Sequence, residues 1–201
     1  SLPKNEIWDS FGTLSARLPS ALGSLFLMLM IGDTLFCWPQ KSDRQFLTPI
    51  VSSLGFALSP LIIIWSRTAV SDALLTGTLG ISLLLFWRRM ASENNGQCIS
   101  AWVFLGFAIL TKGPVAFVLA LLTITSFLLS QKHWKTLLFK INPKKGFLIT
   151  ILISVPWYIL VLIKEGKPFW DNFFGYHNFQ RYTSVVNNHA EPFWFFLYIM
   201  I

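Results

Sequence analysis

Long apolar runs, broken only by short charged or Gly/Pro-containing stretches, constrain this chain more than any other feature. Runs of this kind occupy residues 18–38, 46–65, 73–87, 99–110, 115–130 and 147–163, and another opens at Phe193. A helix that crosses a bilayer needs about 20 mostly apolar residues. The run 99–110 is short for that purpose. It meets the next run at Thr111-Lys112-Gly113-Pro114, where Gly and Pro signal a break and Pro suits the first turn of a following helix. Composition agrees with a lipid environment. Of the 201 residues, 54% are hydrophobic and 12% charged, against about 25% charged in an average soluble domain. So few charges do not cover a globular surface of this size. The expected fold class is an all-α membrane protein, a multi-pass bundle of transmembrane helices.

The net charge of +7 raises nucleic acid as a partner, but the basic residues lie between apolar runs and form no single aromatic-rich patch. That is where a membrane protein keeps its loop charges. Alternating the sides of the runs gives a definite map. One face carries segments 39–45, 88–98 and 131–146, with Lys41, Arg44, Arg88, Arg89, Lys132, Lys135, Lys140, Lys144 and Lys145 against Asp43 and Glu93. The excess of Lys and Arg assigns this face to the cytoplasm. Cys37 and Cys98 fall at that reducing face and match no metal or CxxC spacing, so both read as free thiols. The opposite face carries 1–17, 66–72, 111–114 and 164–192. Its basic residues are nearly matched by acids, and His177 and His189 join them. There is no internal repeat of the kind inverted-repeat transporters carry.

Four stretches on that outer face attract chemistry. Arg67-Thr68-Ala69-Val70-Ser71-Asp72 stands between two runs. Asp72 could merely cap a helix, with Ser71 as a rival cap, and Arg67 could snorkel to lipid headgroups. An ionised Asp at a membrane edge is costly unless paired or hydrated, which gives Asp72 a functional reading beside the bland one: positioning a substrate hydroxyl or amine, or a cation. Lys112 in its tight turn is ordinarily a loop residue. Its functional reading is a fixed ammonium facing a lipid-linked phosphate. Residues 164–192 read as a long loop whose middle is an interfacial helix anchored by Phe169, Trp170, Phe173, Phe174, Tyr176, Phe179 and Tyr182. His177 and Arg181, at i and i+4, share one face of it. They could bind a metal and a phosphate, or simply sit in the headgroups. The fourth stretch is His189-Ala190-Glu191-Pro192-Phe193-Trp194, where Pro192 opens a helix and His189 lies just outside it.

Taken in order, Ser15-Ala16-Arg17-Leu18-Pro19-Ser20-Ala21-Leu22, Arg67 through Asp72, Leu110-Thr111-Lys112-Gly113-Pro114, Val155-Pro156-Trp157-Tyr158, Phe174-Gly175-Tyr176-His177-Asn178-Phe179-Gln180-Arg181 and Pro192-Phe193-Trp194 resemble the glycosyltransferase 39 family. That family comprises protein O-mannosyltransferases and bacterial aminoarabinose transferases, and the likeness is nearer to the bacterial branch. The resemblance covers nearly the whole chain. It implies a GT-C fold with interfacial helices at the outer face, in the plasma membrane of a bacterium with the active site on the periplasmic side. It implies transfer of a sugar from a polyprenyl-phosphate donor to a lipid or protein acceptor. By the resemblance Asp72 takes the catalytic acid's place, Lys112 and Arg181 face the donor phosphate, and His177 helps hold a divalent metal ion; Arg67 and His189 join the substrate-binding candidates by their place on the same face. The family's first span, its acidic first outer loop and its C-terminal part would lie beyond residues 1–201. The chain is thus expected to be one part of a transmembrane glycosyltransferase domain, inactive alone.

A transporter or flippase for a lipid-linked or anionic solute is the competing class. It needs polar groups deep in the spans, where Asp33 and scattered Ser and Thr are all the sequence offers. A structural membrane subunit without a site is the third.

Overall fold

A computed structural model describes residues 6–38, 44–92 and 98–170, with side chains from Gly12 onward apart from Thr13 and Trp170. These residues form helices α1 (Glu6–Cys37), α2 (Leu47–Ala57), α3 (Pro60–Arg67), α4 (Ser71–Ala91), α5 (Ile99–Lys112), α6 (Pro114–Ser130), α7 (Trp134–Ile141), α8 (Pro143–Glu165) and α9 (Lys167–Trp170). No strand occurs among the described residues. Leu14–Cys37 within α1, and α8, are each long and apolar enough to cross a membrane, and α2 with α3 would make a third span, bent by 59°. The chain is an all-α integral membrane protein.

The first unit, residues 1–155, is organised around α4. This helix has 21 residues, about 31 Å at 1.5 Å per residue. It buries Ala73, Leu75, Gly77, Ile81, Ser82, Phe86 and Met90 against its neighbours. Lipid does not draw apolar helices together as water does, so close fit and interhelical hydrogen bonds must hold such a bundle. Both are present. A Cβ added at Gly77 would stand 2.5 Å from the Gly23 carbonyl oxygen, so α1 and α4 meet backbone to backbone. Ser20 Oγ donates to the Val70 carbonyl at 2.9 Å, Ser82 Oγ to Ala101 at 2.8 Å, and Thr150 Oγ1 to Trp102 at 3.1 Å. Gly146, Thr150 and Ser154 are buried at intervals of four along α8. A side chain at Gly146 would enter the Trp102 ring. That ring stacks edge-on to Phe86 at 4.8 Å and donates through Nε1 to the Ile141 carbonyl at 2.9 Å.

The second unit begins at Pro156. Its described part holds the end of α8 and α9. They turn at Gly166, whose φ of 67° lies in the left-handed region that glycine adopts without strain. Trp157 packs against Tyr158 at 5.0 Å and against Phe169 at 6.3 Å.

Three expectations need correction. The run 46–65 is two helices, because Pro60 has no N–H to give and forces Ser59 into an extended conformation (φ −58°, ψ 126°). Segment 131–146 is not a loop. It contains α7, and α8 starts at Pro143 rather than Phe147. Arg88 and Arg89 lie in the last turn of α4, where cations suit the helix dipole.

The two ends of α4 differ in character. At its C-terminal end Arg88 pairs with Asp33 of α1 at 2.5 Å, and Trp38 stacks on Trp87 at 4.5 Å. Arg89 Nε donates to the Lys140 carbonyl, and Lys140 Nζ donates to Ser92 at 2.7 Å and Met90 at 3.3 Å. The described parts of the basic segments 88–98 and 131–146 thus share one end of the bundle. Cys98 is buried there, whereas Cys37 is exposed. Burial pushes the Cys98 thiol up from 9.0 to about 11, against the opposing influence of Arg89 and an Ala101 backbone hydrogen bond. Alkylation needs the thiolate. Treatment of membranes with a maleimide at pH 8 is therefore expected to label Cys37 and spare Cys98, with labelling of Cys98 rising as pH climbs toward about 11. Mass spectrometry of the peptides checks this, and equal labelling at pH 8 would contradict the buried placement.

Candidate functional site

Asp72 and Lys112, forty residues apart in sequence, form an ion pair through Lys112 Nζ and Asp72 Oδ1. Each side chain is placed by the end of a helix. Asp72 occupies the first turn of α4 and Lys112 the last turn of α5. A carboxylate at an N-terminus and an ammonium at a C-terminus are both favoured by the backbone dipoles, so each charge is stabilised before they meet.

The local chain fixes both positions. Upstream of Asp72, Thr68 and Val70 are extended. Ser20 of α1 holds the Val70 carbonyl and so sets where α4 begins. The residue preceding α4 is Val70, and no side chain caps the helix. The capping role considered for Asp72 and Ser71 is therefore unfilled, and the Asp72 carboxylate goes to Lys112 instead. On the other side, Gly113 ends α5 and opens α6 at once. Its φ of 72° and ψ of −146° are open to glycine alone in practice. Gly113 N–H closes on the Ile109 carbonyl at 2.7 Å, and Pro114 takes the first position of α6. Thr111 Oγ1 binds back to Ala108 at 2.6 Å. Lys112 stands on a corner without slack.

The side chains remain 39% exposed for Lys112 and 30% for Asp72. A pair this open contributes no more than about 1 kcal/mol to folding. The glycine contact and the serine hydrogen bonds hold the helices; the ion pair is weak enough to be exchanged for a ligand. A basic group and an acid, presented side by side at a helix-bundle end, can bind an anion and accept a proton respectively.

Arg67 ends α3, exposed and without an ion-pair partner among the described residues. His177, Arg181 and His189 lie outside the described residues. Among the described residues no three His, Cys, Asp or Glu side chains cluster. Ser20, Gly23 and Gly113 position the pair yet carry no charge. Ser20 and Ser24, like Ala73 and Gly77, repeat small residues at an interval of four, the signal that marks close helix approach.

The family described as dolichyl-phosphate-mannose-protein mannosyltransferase matches residues 6–160, which include both members of the pair. Curated relatives named undecaprenyl phosphate-alpha-4-amino-4-deoxy-L-arabinose arabinosyl transferase are similar along most of the chain. One from Pseudomonas fluorescens is 28% identical over 195 residues, 95% of this chain and 34% of the relative. One from Erwinia tasmaniensis is 28% identical over 189 residues, 90% of this chain and 33% of the relative. One from Pseudomonas aeruginosa is 26% identical over 195 residues, 95% and 34% respectively. The chain spans about a third of the length of these relatives. No solved structure matches it.

Proposed function

The chain belongs to the dolichyl-phosphate-mannose-protein mannosyltransferase family, and from that premise we propose that the protein of which it forms part moves a sugar from a polyprenyl-phosphate donor to a lipid or protein acceptor. The observation that carries the proposal is the half-exposed Asp72–Lys112 ion pair between the first turn of α4 and the last turn of α5. The names of the relatives favour undecaprenyl phosphate as the carrier and an aminopentose as the sugar.

In the proposed reaction the donor phosphate competes for the Lys112 ammonium, with Arg67 and Arg181 as further cations. Release from Lys112 frees the Asp72 carboxylate. The acceptor hydroxyl or amine then attacks the anomeric carbon and gives its proton to Asp72. The bond from that carbon to the phosphate oxygen breaks, and its electron pair leaves with the polyprenyl phosphate. Lys112 stabilises the charge that grows on that leaving oxygen, the interaction that gains most between ground and transition state. Displacement from the opposite side inverts the anomeric centre. His189 joins the substrate-binding residues in this proposal on sequence position alone.

The site is proposed for the periplasmic face of a bacterial inner membrane, because the opposite end of the bundle carries the excess of lysine and arginine. A divalent ion held in part by His177 remains part of the proposal on the sequence pattern. Sugar transfer that survives full chelation would remove it.

The test is the complete protein in proteoliposomes with radiolabelled undecaprenyl phosphate-aminoarabinose and a lipid acceptor. Labelled acceptor lipid, with the carrier phosphate released, is the expected outcome. Movement of intact labelled donor across the bilayer without transfer would make it a flippase instead. Accessibility of a cysteine placed at position 177 only from the cytoplasmic side would reverse the orientation.

A further inference from the structure

We propose that the groove bounded by α5, α6, α7 and α8 holds the acyl chain of an anionic phospholipid whose phosphate rests on Lys144. The cavity measures about 380 Å³, within the range of small-molecule sites, roughly 300–1,000 Å³. Leu105, Ala120, Leu121, Leu128 and Phe147 are among its lining residues. Thr125 and Lys144 are the polar ones. An apolar trough with one lysine in its lining matches a phospholipid, whose acyl chain is joined through glycerol to a phosphate.

Charge selects the headgroup. Lys144 and Lys145 fill the first turn of α8, a place where the helix dipole disfavours cations. Neither has an acidic partner among the described residues. Asp33, the described carboxylate at this end, is taken by Arg88, and Lys140 is committed to the Met90 and Ser92 carbonyls. An anion beside Lys144 would relieve the repulsion that the sequence builds in.

The depth is also right. Helix α7 exposes Trp134 and Phe139, the latter by 87%, and Lys135 lies over the Trp134 ring at 5.5 Å. Its buried residue is Ile141, with Leu137 and Leu138 packed on the same core. Trp134 and the lysines beside it are side chains of the kind that settle at the headgroup level. The lining of the groove extends from Leu138 and Ile141 of α7 along α6 from Leu128 to Phe117. A chain in the groove and a phosphate at its mouth therefore occupy the depths at which a bilayer holds them. This lipid is not the sugar donor, and the inference does not rest on the transferase reading.

The experiment is native mass spectrometry of the complete protein in detergent, titrated with dioleoyl phosphatidylglycerol or dioleoyl phosphatidylcholine. The wild type is expected to retain phosphatidylglycerol preferentially. Lys144→Gln should weaken that retention about fivefold, the effect of one cation near a lipid surface, and leave phosphatidylcholine unchanged. Lys144→Arg should keep the preference, which separates lost charge from lost fold. A photoreactive residue at Leu121 should crosslink to phosphatidylglycerol. Unchanged retention in Lys144→Gln, or equal retention of the two lipids by the wild type, overturns the proposal. So does a crosslink from position 121 to the protein's own polypeptide or to a polyprenyl phosphate.

Discussion

Lys112→Ala in the complete protein is expected to reduce sugar transfer by about 100- to 1,000-fold, the usual cost of deleting a group that stabilises charge developing in a transition state. Asp72→Asn should cost a similar factor, because the amide keeps the shape of the carboxylate but cannot take the acceptor proton. The two losses should not multiply. If the pair works as a unit, the double variant should be little worse than the poorer single one. Folding is not the cause, since a pair this exposed contributes no more than about 1 kcal/mol. Thermal unfolding in detergent should accordingly change by only a few degrees in each variant. Transfer at wild-type rates in either single variant would disprove the assignment of these residues while leaving the family intact.

Gly77→Val is expected to have the largest effect on stability. Any Cβ at this position falls 2.5 Å from the Gly23 oxygen, 2.6 Å from its carbonyl carbon and 2.8 Å from its Cα. All three are main-chain atoms, so no rotamer change makes room. Helices α1 and α4 would have to separate along the surface that joins them. A loss of about 3 kcal/mol is the expectation, at the upper end of overpacking costs. Transfer should fall as well, because separation draws Ser20 from the Val70 carbonyl and unfixes the start of α4. Gly55→Ala is the control. A Cβ there meets nothing within 4 Å, and alanine in a helix is favoured by up to about 1 kcal/mol over glycine. Thermal unfolding of both variants decides the matter; a Gly77→Val protein as stable as wild type would mean that α1 and α4 do not pack this closely.

The sequence carried more of this site than of its support. Asp72 and Lys112 each stand at a junction between apolar runs, and counting sides assigns both to one face; that they pair with each other depends on how α4 and α5 pack and is not legible in the sequence. The close approach of Gly23 to Gly77 is not legible either, because it depends on the register of two helices, although the interval of four between small residues was there to be read. Pro60 announced the break between α2 and α3, but the apolar residues on both sides of it make one continuous run. In α7 the lysines at 135 and 140 hide a helical pattern: Trp134, Leu137, Leu138 and Ile141 recur at i, i+3, i+4 and i+7. Motif order alone singles out His177, Arg181 and His189, which lie outside the described residues.

Gly113 has a further consequence for how this domain can vary. It serves two helices at once, so the corner has no linker to absorb a change in chain length. One residue added after Lys112 must either bulge out or turn α6 by about 100° about its axis. The second course swings Ala116 and Ala120, both buried to within 1%, away from the core. Loop grafts and insertions in related proteins should therefore collect at the basic end of the bundle and spare this corner.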